Sequence, residues 1–288
     1  MMTQNKMIDL TDLGLLSIAG EQAKKFLQGQ LTCKLDEITE TQSRLGAHCN
    51  PQGRVISLFR IFIHNDNYFL QMPRELIPLA KNALQKYAVF FKVTLRDVTH
   101  DFQQLGYVGK PLTNISTDKV VNIHLPGIFE RYLFIGEANS IMTLKNQLAE
   151  QAVESDFNYW KSMDIADNFA AIYPDTSEKF LPHDLDLPAL DAVSFDKGCY
   201  TGQEIIARMQ YRGKLKNHLY KATVKTELSV SRGADIYIEN KSCGNIVDFC
   251  QIDYNNYELL VIAQDRDIES HTLFLDPENN FSLKFLKG

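Results

Sequence analysis

The sequence lacks the marks of a metal site, a disulfide framework or a membrane span. Its cysteines, at positions 33, 49, 199, 243 and 250, contain no Cys-x-x-Cys pair, and an odd set of 5 cannot all pair within one chain. No apolar run approaches the length needed to cross a bilayer, and Met1 to Asp12 holds no apolar core of signal-peptide length. A cytoplasmic protein with reduced thiols, no membrane partner and no permanently bound metal is expected. Positive charge is scarce too. Lys and Arg total 30 against 36 Asp and Glu, a net charge of −6, which argues against binding nucleic acid by bulk charge. Tryptophan occurs once, at Trp160.

What is present suits a globular chain. A length of 288 residues with 44% hydrophobic and 23% charged residues supports two or three domains with sizeable cores. Leu15 to Ile18 reads as a strand, followed by a helix opened by Gly20. Two strands, Arg44 to Cys49 and Arg54 to Ile63, flank the turn Asn50-Pro51-Gln52-Gly53. After a strand at Tyr68 to Gln71, Pro73 starts a helix with apolar residues in helical period, and Lys92 to Val98 returns as a strand. The middle repeats this style with strands at 104–108, 120–124 and 131–135 and helices around 141–152 and 157–167. Helices between antiparallel strands point to an α+β fold. After Gly213, six short strands with no convincing helix suggest a small barrel or sandwich.

The densest chemistry lies at 195–213. There Lys197, Gly198, Cys199, Tyr200, Thr201, Gly202, Gln203 and Glu204 run into a helix carrying Arg208 and Arg212. Thr201 and Glu204 have the spacing of a capping box, which sets Cys199 just ahead of a helix N-terminus, with Lys197 nearby. A thiol so placed should ionise more readily than a free one. The plainer alternative, a small residue in a tight turn, stays open. Lysine precedes glycine here, so this is not a phosphate loop. His48 and Cys49, adjacent on a strand, point to opposite faces and cannot pair. The acids Asp184, Asp186 and Asp191 read as a solvated turn in a long loop leading to Cys199.

The run from Lys197 to Glu204 resembles the signature of the YgfZ family of folate-binding proteins, relatives of the glycine-cleavage T-protein. Three further stretches resemble that family in order: Phe26 to Thr32, a first hairpin at Ala47 to Arg54, and a later one at Tyr87 to Phe90 with Lys92-Val93. The resemblance implies a T-protein-like α+β fold, with two ferredoxin-like units around a central channel and a C-terminal β-barrel. The expected units are 1–100, 101–213 and 214–288. It implies that tetrahydrofolate or a derivative binds in the channel, lined by Trp160, with the Cys199 loop at its mouth. A second channel tryptophan of the family falls at Leu13, which implies a weaker or reshaped site. Where the T-protein has paired aspartates, Ser57 and Leu58 stand, so glycine cleavage is not expected. The implied role is an accessory protein, without turnover of its own, that supports iron–sulfur cluster assembly or repair in client enzymes, and thereby tRNA modification. No tight direct nucleic-acid binding is expected. The alternative is a folate-dependent one-carbon transferase or demethylase.

Overall fold

The computed structural model describes residues 4–110, 119–213 and 215–286. The first sheet is antiparallel; β1 (Lys6–Asp9), which precedes all of its strands, lies elsewhere. It contains β2 (Leu13–Ala19), then, after α1 (Ala23–Gln28), β3 (Arg44–Cys49), β4 (Val55–His64), β5 (Asn67–Pro73) and, beyond α2 (Ile77–Ala88), β6 (Thr94–Asp97). The spatial order is β3-β4-β5-β2-β6. α2 buries Ile77, Ala80, Leu84 and Ala88, three or four residues apart, which is the stripe its period anticipates. Residues 74–76 form a 3₁₀ turn, so the helix starts later than Pro73 and carries Pro78 in its first turn, where the missing N–H is harmless. The hairpin expected at Tyr87 to Phe90 is absent. Helical period carries α2 to Ala88, and Val89 and Phe90 follow, 70% and 79% exposed.

The second sheet takes β7 (Gln103–Val108), β8 (Val120–Leu125) and β9 (Arg131–Gly136), then, after α3 (Ala138–Leu148), β10 (Val153–Ser155). Its order is β10-β1-β7-β9-β8, with β1 parallel to β10 and antiparallel to β7. The N-terminal residues 6–9 therefore belong to the second sheet, and a cut at residue 100 does not separate the two sheets. β1 and β10 are not legible in the sequence, because four and three residues carry no period. Leu15, Phe62 and Phe69 of the first sheet share one core with Ile8, Leu133 and Ile135 of the second and with Trp160 on α4 (Phe157–Ala166). The two sheets thus face each other, and α3 closes the far side of the second through Ile141, Leu144 and Leu148.

α5 (Gln203–Arg212) leads to a barrel of β11 (Asn217–Lys225), β12 (Asp235–Ile238), β13 (Lys241–Asp253), β14 (Asn256–Gln264) and β15 (Lys284–Phe285), in the order β12-β13-β14-β11-β15. The ring closes through Phe274, which exchanges hydrogen bonds with Tyr237 of β12, while Leu283 donates to Leu273. Contrary to expectation this unit holds a short helix, α6 (Asp265–Ser270). Lys214, where the unit is expected to begin, lies outside the described residues. The chain is α+β throughout, as its sequence implies.

Candidate functional site

The signature run is built against the β3–β4 hairpin. Gly202 caps α5 at φ 83°, and a Cβ there would stand 2.6 Å from the Asn50 carbonyl oxygen and 3.1 Å from the Gly53 Cα. Gly53 is itself at φ 75°. Two glycines in left-handed backbone therefore meet where no side chain fits. The capping box does not form. Gly202 occupies the cap position, Glu204 is exposed, and Thr201 turns to α1's exit instead, its N–H donating to the Gly29 carbonyl at 3.2 Å and its hydroxyl to Gln30 Oε1 at 3.2 Å. The Lys197 ammonium also points inward, donating to the carbonyls of Leu31 at 2.6 Å and Cys33 at 3.0 Å beneath the Tyr200 ring. Burial pushes it down to about 8, the Cys33 thiol opposing. Tyr200 is buried, its hydroxyl pushed up by burial and then by Cys49. Gln203 donates its N–H to Tyr200, a Cβ on Gly198 would meet nothing within 4 Å, and Arg208 is exposed.

Cys199 is exposed, whereas Cys33, Cys49 and Cys250 are buried and Cys243 is half-buried. It lines neither the cavity between the sheets nor the cleft beside it, so the Cys199 loop opens to solvent and not to the channel. Burial pushes the Cys33 and Cys243 thiols up to about 11 and Cys250 up to about 12. Limiting iodoacetamide at neutral pH is therefore expected to label Cys199 well before the other four, read by peptide mass spectrometry. Labelling of Cys33 or Cys49 at the same rate would contradict this placement.

Trp160 and Leu13 do come together. Both line a cavity of about 30 Å³ between the sheets, with Leu58, Arg60, Gln71 and Phe169. Trp160 is 3% exposed, and a Cβ on Gly106 would lie 2.5 Å from its ring. The Arg131 guanidinium sits over the indole at 5.0 Å and is held by Asp164 at 2.7 Å and Asp167 at 2.6 Å, one turn apart on and after α4. Arg60 joins this cluster, pushed down to about 10 by burial and by Arg131. The space admits a water or two and not a pterin ring. Leu58 lines it, while Ser57, fully buried, is not among its walls; no carboxylate comes from this strand.

The cavity opens toward a cleft of about 920 Å³ through the shared residues Phe157, Lys161 and Tyr173. Its chemistry is not legible in the sequence. Asp248 is fully buried and accepts from Lys161, from the Ala171 N–H at 2.9 Å and from Arg232 Nε at 3.1 Å. Arg232 lies over Tyr173 at 3.5 Å and over Phe249 at 4.9 Å. Burial alone would push Lys161 down; Asp248, then Tyr173, outweigh it and hold the ammonium above its usual value. A register shift in β13 between Ile246 and Asp248 turns this carboxylate inward toward α4. The one available signal was an aspartate inside the apolar run Ile246 to Cys250. Arg74, the acids Asp12, Glu75 and Asp97, and the neutral Thr11, Asn158 and Gln251 complete the cleft's polar lining.

On the other side of the first sheet, His48 faces Ser57 across the β3–β4 ladder, both fully buried. Neither ring nitrogen of His48 nor the Ser57 hydroxyl has a partner among the described residues. Burial pushes His48 down to about 4, with Lys86 adding to the effect. The unfolded chain, with an ordinary histidine near 6.5, then binds the extra proton between those values. Stability contributed here is complete above pH 6.5 and falls as pH drops toward 4. Between pH 6.5 and 5 the loss is expected to be about 2 kcal/mol. Urea titrations at those pH values, with His48→Leu showing a flatter slope, check it; an unchanged slope in the variant would contradict it.

Among the described residues, no group of three or more His, Cys, Asp or Glu is placed to hold a metal ion. No described helix is long and apolar enough to cross a membrane. Two facing sheets with a small cavity between them, followed by a barrel, define the aminomethyltransferase fold. The solved glycine cleavage system aminomethyltransferase T from Bartonella henselae superposes at a TM-score of 0.72 over 100% of this chain and 86% of its own, at 12% identity. No family model matches the chain. A protein of Colwellia psychrerythraea described as tRNA-modifying protein YgfZ is 31% identical over 285 residues, 91% of this chain and 86% of its own. Its namesake in Yersinia pestis (strain Pestoides F) is 32% identical over 231 residues, 74% and 69% of the two chains. An uncharacterized protein of Haemophilus influenzae is 30% identical over 280 residues, 95% of each. The chain belongs to the YgfZ family.

Proposed function

We propose that this chain is a folate-binding accessory protein that supports iron–sulfur client enzymes, and through them tRNA modification, without turnover of its own. The observation that carries the reading is the cleft in which Lys161 and Arg232 are fixed by Asp248 beside Phe157, Tyr173 and Phe249. Such a site suits a flat ligand with a carboxylate tail: rings to stack on, the Arg232 and Arg74 guanidiniums for the carboxylates, and the acids Asp12, Glu75 and Asp97 for ring donors. Tetrahydrofolate or a derivative fits the cleft by volume, and the inner cavity by Trp160 and Leu13 serves as its water-sized floor. Bound folate would supply a one-carbon carrier. The chain's own residues orient it and shield one face. The relatives' description as tRNA-modifying supports the downstream role. Leu58 in place of a carboxylate on the cavity wall counts against the one-carbon transferase alternative. A net charge of −6 favours action through a client over tight binding of bare RNA. A reducing cytoplasm suits the free thiols.

Cys199, exposed beside the cap of α5, is the thiol offered to the client or to a transient metal. In cells lacking the native gene, Cys199→Ser is expected to accumulate as folded protein yet fail to restore activity of iron–sulfur tRNA-thiolating enzymes. Full restoration by Cys199→Ser would reduce the cysteine to a small turn residue.

A further inference from the structure

A second large cleft, about 740 Å³, lies between α5, the 179–184 segment and the barrel, away from the folate-type cleft. Its lining sets three cations, Arg54, Lys179 and Lys216, against the single carboxylate of Asp184. Asp184 already accepts from the Leu181 N–H at 2.9 Å, and burial pushes its carboxyl up. The floor is apolar, from Phe180, Met209 and Ile262. All three cations are exposed, and among the described residues none makes an ion pair; the Arg54 guanidinium donates to the Lys179 carbonyl and through space opposes the effect of burial on the Asp184 carboxylate. Elsewhere on this acidic protein many cations are paired, as in Lys24–Asp36, Arg44–Glu37 and Arg96–Asp101.

We infer that this cleft docks an acidic segment with apolar residues from a partner protein, next to the helix that follows Cys199. Unpaired cations over an apolar floor complement alternating carboxylates and aliphatic side chains. A partner polyanion the length of RNA would have to approach a chain of net charge −6, whereas a short peptide meets only the local cluster. The inference deepens the proposed function, since it rests on the chain acting through a client, and gives that client's contact a chemistry.

The test is fluorescence anisotropy with a fluorescein-labelled twelve-residue peptide alternating Glu and Leu, at low and high salt, with unlabelled tRNA as competitor. Saturable, salt-sensitive binding is expected, weakened at least tenfold by Lys179→Glu with Lys216→Glu and unchanged by Lys25→Glu with Lys86→Glu. Circular dichroism confirms that each variant is folded. No binding to the wild-type protein, or equal loss in both double variants, overturns the assignment. Displacement by tRNA at lower concentration than by unlabelled peptide overturns it in favour of an RNA surface. Tetrahydrofolate affinity, measured on the same samples, is expected to be unchanged in both double variants. Its absence alongside peptide binding would remove the folate reading and leave this one standing.

Discussion

Asp248→Ala is expected to lower the free energy of unfolding by roughly 3–5 kcal/mol, read from urea denaturation. Asp248 accepts from the Lys161 ammonium on α4, from Arg232 Nε and from the Ala171 N–H, and it is fully buried. Alanine leaves a buried ammonium with only the Tyr173 hydroxyl, at 3.1 Å, as partner. The loss falls on the joint between α4 and β13, so the barrel should loosen from the two-sheet body as well as the whole becoming less stable. Removing the charges together tells the two costs apart. Lys161→Met with Asp248→Leu should recover much of the stability, because apolar groups of similar size carry no stranded charge. A loss below about 1 kcal/mol in Asp248→Ala would mean the cluster is hydrated and weak.

Gly202→Ala is expected to cost roughly 3 kcal/mol, the sum of a left-handed backbone forced on alanine and overpacking against a rigid neighbour. Its Cβ would stand 2.6 Å from the Asn50 carbonyl oxygen, which is backbone in a tight turn closed by Gly53 N–H to that same oxygen. The nearest relief is to part the hairpin from α5, which shifts the loop carrying Cys199. Thermal melting should show the loss, and faster labelling of the buried Cys49 should accompany it. Glu204→Ala serves as contrast. Since Glu204 caps nothing, it is expected to melt with the wild type. A harmless Gly202→Ala would contradict the packing described.

The sequence carried most of the strands because their burial alternates or runs continuously, and α2, α3 and α4 because their apolar residues repeat at helical spacing. It could not carry β1 joining the second sheet, since Lys6 to Asp9 finds its partners nearly a hundred and a hundred and fifty residues away, roughly the reach of a whole domain. The site divides along the same line. Thr201 and Glu204 have capping-box spacing, but the Asn50–Gly53 turn pressing on Gly202 decides the cap, and that contact is tertiary. Lys197 reads as a charge next to Cys199, yet two carbonyls of the α1–β3 connection draw its ammonium inward. Trp160 was legible as the sole tryptophan; the arginine covering it, at position 131, was not. Lys161, Arg232 and Asp248 lie far apart along the chain, and only the β13 bulge brings the carboxylate to the lysine.

We propose that a folate-type ligand occupies the cleft of Lys161 and Arg232, away from Cys199. Isothermal titration of tetrahydrofolate into the wild-type protein, Arg232→Leu and Cys199→Ser tests it most directly, with melting curves to show that each is folded. Leucine keeps apolar contact with Tyr173 and Phe249 while removing the guanidinium. Saturable binding is expected that weakens about tenfold, near 1.4 kcal/mol, in Arg232→Leu and is unchanged in Cys199→Ser. No heat of binding in the wild type, or equal affinity in folded Arg232→Leu, would contradict it.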